Sequence, residues 1–538
     1  MTEVRSSNTP AASFPPLSTA ITTIAVMTLA MIGSSVSSQL VDLDIADVGG
    51  AFSISSDDAS WIASVATMAE VAAIPIAATL ARVLSVRTVV TGTSAIFALS
   101  ALASLFVPGE GELLIIRAIQ SFCGGTLSVL MFVAVMASLP PGRNRLIGLA
   151  VFGFASTAPS AIAAAVGALM TEQMGWQGLY YFDIAWSLLL LVLSVSILRP
   201  TAHGMRLSEI DWIGYVLLAT GCAALIVFLK QGDRFFWLEN DTIKRAGIAA
   251  ALLIPAAAFI FVIKRRPLID LSLMKTTFGW AVMLATFYRF GMVITAFVVP
   301  QALARLQGFR ITEIADANIW MFWAECAGFP LAWFWASRWD ARIPLCLGLA
   351  LFAVGAFMST RLTPAWQAHD FALTEIAIGL GQGLFLVPTL YYATSDVAPQ
   401  QGTTAAALFN LSRVVGQTFG AGVIGALITY REKFHSTVLV DSFRDPDSAV
   451  TERFNGLVAN FLGMHGDLAL AQRQAWASLS RLASSQAYAL AFADAFIVVS
   501  LVLGLSALLA LMLPPLRQSS LGAPRSPAPH LLLTGRVS

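Results

Sequence analysis

Two matching stretches decide how this chain folds, and they read Ala69-Glu70-Val71-Ala72-Ala73-Ile74-Pro75-Ile76-Ala77 and Ala324-Glu325-Cys326-Ala327-Gly328-Phe329-Pro330-Leu331-Ala332. They lie 255 residues apart, and each sets a glutamate five residues before a proline within an apolar run. A carboxylate near the middle of a membrane span is costly and is a functional candidate by default. Because the two stretches correspond, they predict two related halves, as in transporters that bind substrate near the bilayer midplane.

The composition places the chain in a bilayer. Of its 538 residues, 57% are hydrophobic and 12% are charged, with a mean hydropathy of +0.76, whereas soluble domains carry about a quarter charged residues. The net charge of +1 argues against a nucleic-acid partner, which requires a basic stripe. The four cysteines lie in apolar runs without CxxC or Cys/His spacing, so we expect neither a disulfide framework nor a metal site.

Apolar runs of about 20 residues, the length that crosses a membrane as a helix, occur fourteen times. We therefore expect an all-α polytopic membrane protein with fourteen transmembrane helices. Lysine and arginine concentrate in every second short loop, which predicts that these loops and both termini are cytoplasmic. The expected spans are 18–40, 60–80, 88–107, 113–138, 145–170, 178–198, 211–230, 244–263, 278–303, 314–336, 343–360, 370–393, 403–430 and 486–513.

The matched stretches fall on spans two and ten, which correspond if spans seven and eight are a two-helix insert. Residues 431–485 mix charged and apolar side chains, and we expect them to form surface or interfacial helices on the periplasmic face. Both ends of the chain are rich in Ser, Pro and Gly and are expected to be disordered cytoplasmic tails. The predicted units are a tail (1–17), a six-helix bundle (18–199), the insert (200–266), a second six-helix bundle that includes the periplasmic segment (267–515) and a tail (516–538).

Three charged residues, Glu70, Glu325 and Arg289, lie near the middle of their spans. Glu70 has no cation on its own or the adjoining span, so we expect its carboxyl to bind and release a proton. The alternative is a permanently neutral glutamate that bonds across a helix interface. Spans nine and ten are antiparallel neighbours, which predicts an ion pair between Arg289 and Glu325. That pair is either a coupled gate or a fixed structural contact.

Four further side chains are candidates for a substrate cavity or for proton transfer. Arg117 and Asp183 lie about one turn from the outer ends of spans four and six, where they either act in transport or snorkel to the surface. Arg413 lies within span thirteen. Trp323 lies near the midplane and either lines a ligand cavity or belongs to an interfacial tryptophan belt.

Four motifs follow one another in a fixed order. They are Trp61 after an acidic loop; the run Arg117…Gln120…Gly124-Gly125; Pro399-Gln400-Gln401-Gly402 leading into Leu408-Phe409-Asn410-Leu411-Ser412-Arg413-Val414-Val415-Gly416; and Ala493-Asp494-Ala495-Phe496. In this order they resemble the fourteen-span drug:proton antiporter branch of the major facilitator superfamily. The loop after span two departs from the family pattern and keeps only Arg87, and the span-five motif is reduced to Ala158-Pro159 and Gly167.

The resemblance implies a proton-coupled efflux transporter of the bacterial inner membrane. Such a protein exports small amphipathic or aromatic compounds by alternating access, uses the proton gradient and needs no cofactor. The proton-coupling residues would be Glu70, Glu325 and Arg117, with Arg289, Trp323, Asp183 and Arg413 at the cavity or gate.

Several alternatives and partners accompany this hypothesis. The buried Arg289 leaves open a dedicated exporter of an organic anion or aromatic-acid metabolite. The resemblance also implies a periplasmic adaptor and an outer-membrane channel as partners. A membrane enzyme or a non-transporting sensor is disfavoured, because the chain shows no nucleophile motif, metal-ligand spacing or soluble output domain. ATP-driven transport is disfavoured because no Walker A loop occurs.

Overall fold

A computed structural model of the chain describes residues 14–43, 45–200, 205–309, 311–398, 401–442 and 448–515. Most of the two predicted tails, residues 1–13 and 516–538, lies outside these residues. Part of the predicted periplasmic segment (443–447) and the motif residues Pro399 and Gln400 lie outside them too.

Every element in the described part of the chain is a helix. Five short 3-10 turns and one π-helical turn, Ile294–Val298, connect the longer helices. The eighteen α-helices are α1 Leu17–Leu43, α2 Ile45–Ala51, α3 Ser56–Leu84, α4 Val86–Ser104, α5 Glu110–Ser138, α6 Arg143–Thr157, α7 Pro159–Met174, α8 Gln177–Ile197, α9 Trp212–Gln231, α10 Asp241–Ile263, α11 Thr277–Gly291, α12 Val299–Gln307, α13 Ile311–Ala336, α14 Arg342–Met358, α15 Ala372–Ser395, α16 Gly402–Ser442, α17 Ser448–His465 and α18 Leu468–Ala510.

The number of membrane spans differs from the prediction. Within the described residues, twelve helices are long and apolar enough to cross a membrane, or thirteen if the bent pair α6 and α7 counts as one span. The all-α polytopic fold is therefore confirmed, but the count of fourteen is not. The predicted span 314–336 corresponds to α13, which is not among the twelve or thirteen. Its three acidic residues and four tryptophans lower its mean hydropathy.

Two predicted spans are interrupted by proline. Span five is split into α6 and α7, which meet at an angle of 43° immediately before Pro159. Span nine runs through α11, the π-helical turn and α12, where Pro300 occupies the first turn. A proline has no backbone N–H to donate and its ring clashes with the preceding turn, so it bends or ends a helix. These breaks place irregular backbone beside the interface between the two halves.

The membrane helices form two groups that meet along one interface. Helices α1 and α3–α8 pack together as the first bundle, and α11–α16 with α18 form the second bundle. The bundles meet where α3 and α5 contact α16, and where α6 and α7 contact α13. Helices α9 and α10, called the insert pair, pack against each other, and α9 also contacts both α3 and α16.

We name the two ends of the bundles by the residues that lie there. The acidic end holds residues 42–43 and 45–58, with Asp42, Asp57 and Asp58. The terminal end is where α18 finishes, and there the Tyr392 hydroxyl donates to the Pro514 carbonyl at 2.8 Å.

Two helices extend beyond the bundles at the acidic end. With 41 and 43 residues, α16 and α18 are about 60 Å long, roughly twice the thickness of a bilayer core. The predicted span ends at residues 430 and 486 fall inside these continuous helices. Asp494 of α18 accepts from Arg431 Nε at 2.6 Å and contacts His435 Nε2 at 2.8 Å, which ties the two helices together.

Candidate functional site

A cavity of about 330 Å³ lies between the two bundles. The wall from the first bundle is rich in hydroxyl and amide groups, namely Ser34, Ser35, Ser37, Ser38, Gln39, Thr67, Gln120, Ser121, Ser128 and Ser160. The wall from the second bundle is mixed: its apolar residues are Val293, Ala296, Phe297, Pro300, Val414 and Ala421, and its neutral polar residues are Thr295, Asn318, Gln417 and Thr418. The charged lining residues are Asp42, Glu70, Arg117, Lys230 and Arg413.

An ion pair crosses this cavity between the bundles. Arg413 Nη2 of α16 lies 2.5 Å from Glu70 Oε1 of α3, and the two side chains are 14% and 21% exposed. The α3 backbone is held close to α5, because a Cβ at Gly125 would lie 2.8 Å from the Glu70 carbonyl oxygen. The expectation that Glu70 lacks a cationic partner is therefore wrong. The partner comes from the opposite bundle rather than from an adjoining span.

Aromatic side chains close the cavity on the terminal side of this ion pair. The ring centroid of Phe132 lies 5.4 Å from that of Phe152 and 6.0 Å from that of Phe409, which belongs to the second bundle. Nearer the terminal end, the Arg143 guanidinium stacks 4.8 Å from the Trp333 ring centre. On the other side the lining continues to Asp42, which is exposed at the acidic end. This conformation thus gives access to the ion pair from the acidic end.

Arg117 and Asp183 form a buried charged site beside the cavity. Both side chains are 1% exposed, so neither snorkels to the surface. Arg117 Nη1 donates to Gln120 Oε1 at 3.0 Å, whereas its Nε and Nη2 have no hydrogen-bond partner. Arg117 lines the cavity, and Asp183 lies behind it within electrostatic reach.

The predicted ion pair between Arg289 and Glu325 is not formed. Arg289 Nη2 instead donates to Ser156 Oγ of the first bundle at 3.1 Å. Glu325 is fully buried, and neither of its carboxylate oxygens has a hydrogen-bond partner. Helix α11 packs mainly on α16, α15 and α18, whereas α13 packs mainly on α15 and α7, so the two charges lie on helices that are not packed closely against each other. Neither residue lines the cavity.

Trp323 also lies away from the cavity. Its side chain is 63% exposed on the outer surface of α13, and its ring contacts Phe322 with centroids 5.5 Å apart. The lining does not include it. The prediction that Trp323 lines a ligand cavity is therefore not supported by its position.

Two charged residues near the site escaped the sequence analysis. Glu375 of α15 is fully buried, and both its carboxylate oxygens lack a hydrogen-bond partner. One turn further along α15, Gly379 packs against Met321 and Ala324 of α13, which places Glu375 near Glu325. Lys230 of α9 reaches the cavity from the insert pair. Both residues stand near the ends of predicted spans, where a charge is normally interfacial.

Comparison with known proteins agrees with this architecture. The sequence model of the Major Facilitator Superfamily matches residues 19–300, just over half of the chain. The colistin resistance protein EmrB of Acinetobacter baumannii is 25% identical over 438 residues, which cover 79% of this chain and 83% of that protein. The multidrug export protein EmrB of Escherichia coli is 22% identical over 454 residues, covering 81% and 86%.

A solved structure shares the fold. The proton:xylose symporter XylE superposes with a TM-score of 0.58 at 14% sequence identity, covering 93% of this chain and 97% of that one. Identity at this level shows a common fold alone. Together with the two-bundle architecture and the match over residues 19–300, the comparison leads to one conclusion: the chain belongs to the Major Facilitator Superfamily.

Proposed function

We propose that the chain is a proton-driven exporter of small amphipathic or aromatic compounds in the bacterial inner membrane, with both termini in the cytoplasm. The relatives named for colistin resistance and multidrug export support the direction of transport. The basic loops at the terminal end support the orientation. The observation that carries the proposal is the ion pair between Glu70 and Arg413, because it joins the two bundles across the cavity.

The ion pair provides a simple coupling element. A proton that enters from the acidic end reaches Glu70 through the open cavity and neutralises its carboxylate. Arg413 then loses its counter-charge, and the contact between α3 and α16 weakens. Release of the proton at the terminal side restores the pair. A proton thus shifts the balance between two bundle arrangements by acting on one contact that differs between them.

The other charged residues have supporting roles in this proposal. Arg117 lines the cavity and adds positive charge to its wall. Glu325 is a second buried carboxylate in the second bundle. Arg289 joins the bundles through Ser156, so we assign it to the gate. Asp183 positions Arg117 from behind the cavity wall.

The test of coupling is Glu70→Gln in proteoliposomes that hold the full chain. Export driven by a pH gradient is expected to fall roughly tenfold or more, because a neutral amide cannot exchange a proton at the coupling contact. Glu112→Gln, at an exposed position on α5 near the acidic end, is the matched control and should retain wild-type export. Unchanged proton coupling in Glu70→Gln would remove Glu70 from the mechanism.

A periplasmic adaptor and an outer-membrane channel are proposed partners. The family resemblance implies them, and the protruding parts of α16 and α18 are where an adaptor would reach the chain. Cross-linking in whole cells during active efflux, followed by purification of the full chain, tests this proposal. Recovery of the transporter without any periplasmic protein attached would argue against it.

A further inference from the structure

We propose that the cavity binds its cargo through an anionic group held at Lys230, so that the cargo is an amphipathic organic acid. This inference rests on the proposed function only in treating the cavity as the transport pathway. Lys230 stands near the end of α9, which belongs to the insert pair and not to either bundle. The insert would then take part directly in substrate selection.

The ammonium group of Lys230 is held at the cavity wall by neutral partners. Its Nζ donates to the Ala63 carbonyl at 3.0 Å and to Thr67 Oγ1 at 2.7 Å, both on α3. An ammonium group has three protons to donate, so one donor is left for a ligand. Among the described residues, no carboxylate lies within 4.0 Å of this nitrogen.

Of the other two cations on the wall, Arg413 is paired with Glu70, and Arg117 donates to Gln120 Oε1 through one of its nitrogens. Asp42 is exposed at the mouth, where water screens its charge. Lys230 is therefore the cation whose charge a ligand can best compensate. Its two partners, the Ala63 carbonyl and the Thr67 hydroxyl, are neutral, so its charge is left for an incoming anion to compensate.

A second observation also favours an anion. Arg117, at 1% exposure, lines the same cavity with two guanidinium nitrogens, Nε and Nη2, that have no hydrogen-bond partner. Buried donors are normally satisfied. Unpaired donors of a cation beside the cavity are the kind of group that a carboxylate or similar anion satisfies.

The shape and polarity of the cavity define the rest of the ligand. Its volume of about 330 Å³ fits a small aromatic or aliphatic body. The serine-rich wall of the first bundle suits the charged end, whereas Val293, Phe297 and Pro300 of the second bundle suit an apolar end. The cargo is accordingly polar on the side of Lys230 and apolar on the opposite side.

The experiment compares two probes of nearly equal shape and different charge. Naphthoate and its neutral amide, naphthamide, are titrated against purified full-length protein in detergent at neutral pH, without any gradient. Wild type should bind naphthoate more tightly than naphthamide. Lys230→Gln removes the charge but keeps a donor for Ala63 and Thr67. It should weaken naphthoate binding about tenfold or more, the usual effect of a lost charged hydrogen bond, and leave naphthamide binding unchanged.

Two further variants control the comparison. Lys230→Arg restores the charge and should recover most of the preference for naphthoate. Lys244→Gln removes an exposed lysine from α10 and should behave as wild type. Thermal unfolding of each variant shows that it is folded.

Equal affinity of wild type for both probes, no binding of either, or an equal loss of both in Lys230→Gln would overturn the inference. Because binding is measured without a gradient, the result is independent of proton coupling. Intact naphthoate binding with no pH-driven flux of any compound would refute the proposed function and leave the anion site standing.

Discussion

Glu70 and Arg413 form an ion pair that is neither fully buried nor fully exposed, at 21% and 14% exposure. A pair in open water contributes at most about 1 kcal/mol. A fully buried pair is hard to separate, because each charge would be left uncompensated in a medium of low dielectric constant. A contact between these limits is strong enough to hold α3 against α16. In the proposed mechanism it is also weak enough for a proton on Glu70 to release it.

The stability of this contact can be tested by removing one partner at a time. Arg413→Ala leaves Glu70 without its counter-charge, and we expect the free energy of unfolding to fall by about 1–3 kcal/mol. Adding Glu70→Gln in the Arg413→Ala background should recover part of that loss, since no unpaired charge remains. Unfolding in mixed micelles with increasing SDS measures both changes.

The double variant can also give a result that contradicts the importance of the ion pair. If Glu70→Gln lowers stability further in the Arg413→Ala background, the carboxylate has another favourable contact and the ion pair is not its main partner.

Position within the predicted spans was enough to select Glu70, Glu325 and Arg289 as charges near the membrane centre, but not to identify their partners. Glu70 and Arg413 are 343 residues apart, and their contact depends on how two bundles pack, which no local pattern encodes. The order of spans nine and ten along the chain suggested Arg289 with Glu325, but α11 and α13 pack mainly on other helices. Lys230 was missed because a lysine at the end of an apolar run usually belongs to the interface.

Close helix contacts in the second bundle depend on glycine. At Gly383 of α15, an added Cβ would lie 2.4 Å from the Gly328 carbonyl carbon of α13. That atom is backbone and cannot rotate away, so the two helices would have to separate. By contrast, a Cβ at Gly504 of α18 would meet no atom within 4 Å.

These two glycines make a matched pair for mutation. Gly383→Ala is expected to lower the free energy of unfolding by about 1–3 kcal/mol through overpacking. Gly504→Ala should leave it unchanged or raise it by up to about 1 kcal/mol, because alanine favours a helix. Titration with SDS of the two purified variants measures the difference. Equal effects at both positions would show that α13 and α15 have room to separate.

The helices themselves were more predictable than their interruptions. Apolar runs of sufficient length located almost every membrane helix, since the bilayer imposes that length directly. The break at Pro159 and the π-helical turn before Val299 lie inside runs that read as uninterrupted. Because the residues around these two breaks are mostly apolar, the sequence pattern does not indicate where the helix is interrupted. The predicted ends of α16 and α18 were also wrong. A helix can continue from the membrane into water when its own backbone hydrogen bonds are satisfied, so the end of an apolar run does not mark the end of the helix.

The insert pair links the bundles unequally at the acidic end. Helix α9 and the turn after it bind α3 and its first residues through Lys230, Gln231 and Arg234. Toward α16 the corresponding hydrogen bond is between Thr429 Oγ1 and Asp233 Oδ2, at 2.8 Å. The insert therefore moves with the first bundle. A change in the relative position of the two bundles should separate Asp233 from Thr429.

A cross-link tests this motion. In a chain whose four native cysteines are replaced by alanine, Asp233→Cys and Thr429→Cys are joined with a short bismethanethiosulfonate, which forms a reducible disulfide with each thiol. Transport in proteoliposomes is expected to fall to the level of empty vesicles and to return after reduction, because the link prevents α9 from leaving α16. Either single-cysteine variant, treated in the same way, is the control. Full transport with the link intact would show that the insert follows both bundles at once.

The unusual length of α16 has a mechanical consequence. Arg413 is the twelfth of its 41 residues, so the coupling contact sits close to one end of a rigid rod. If that contact acts as a fulcrum, any tilt displaces the tip at Ser442 on the order of two to three times as far as the near end, given the constant rise per residue. In the proposed mechanism, a proton exchanged inside the membrane would thus produce a larger displacement of the protruding tip in the surrounding water.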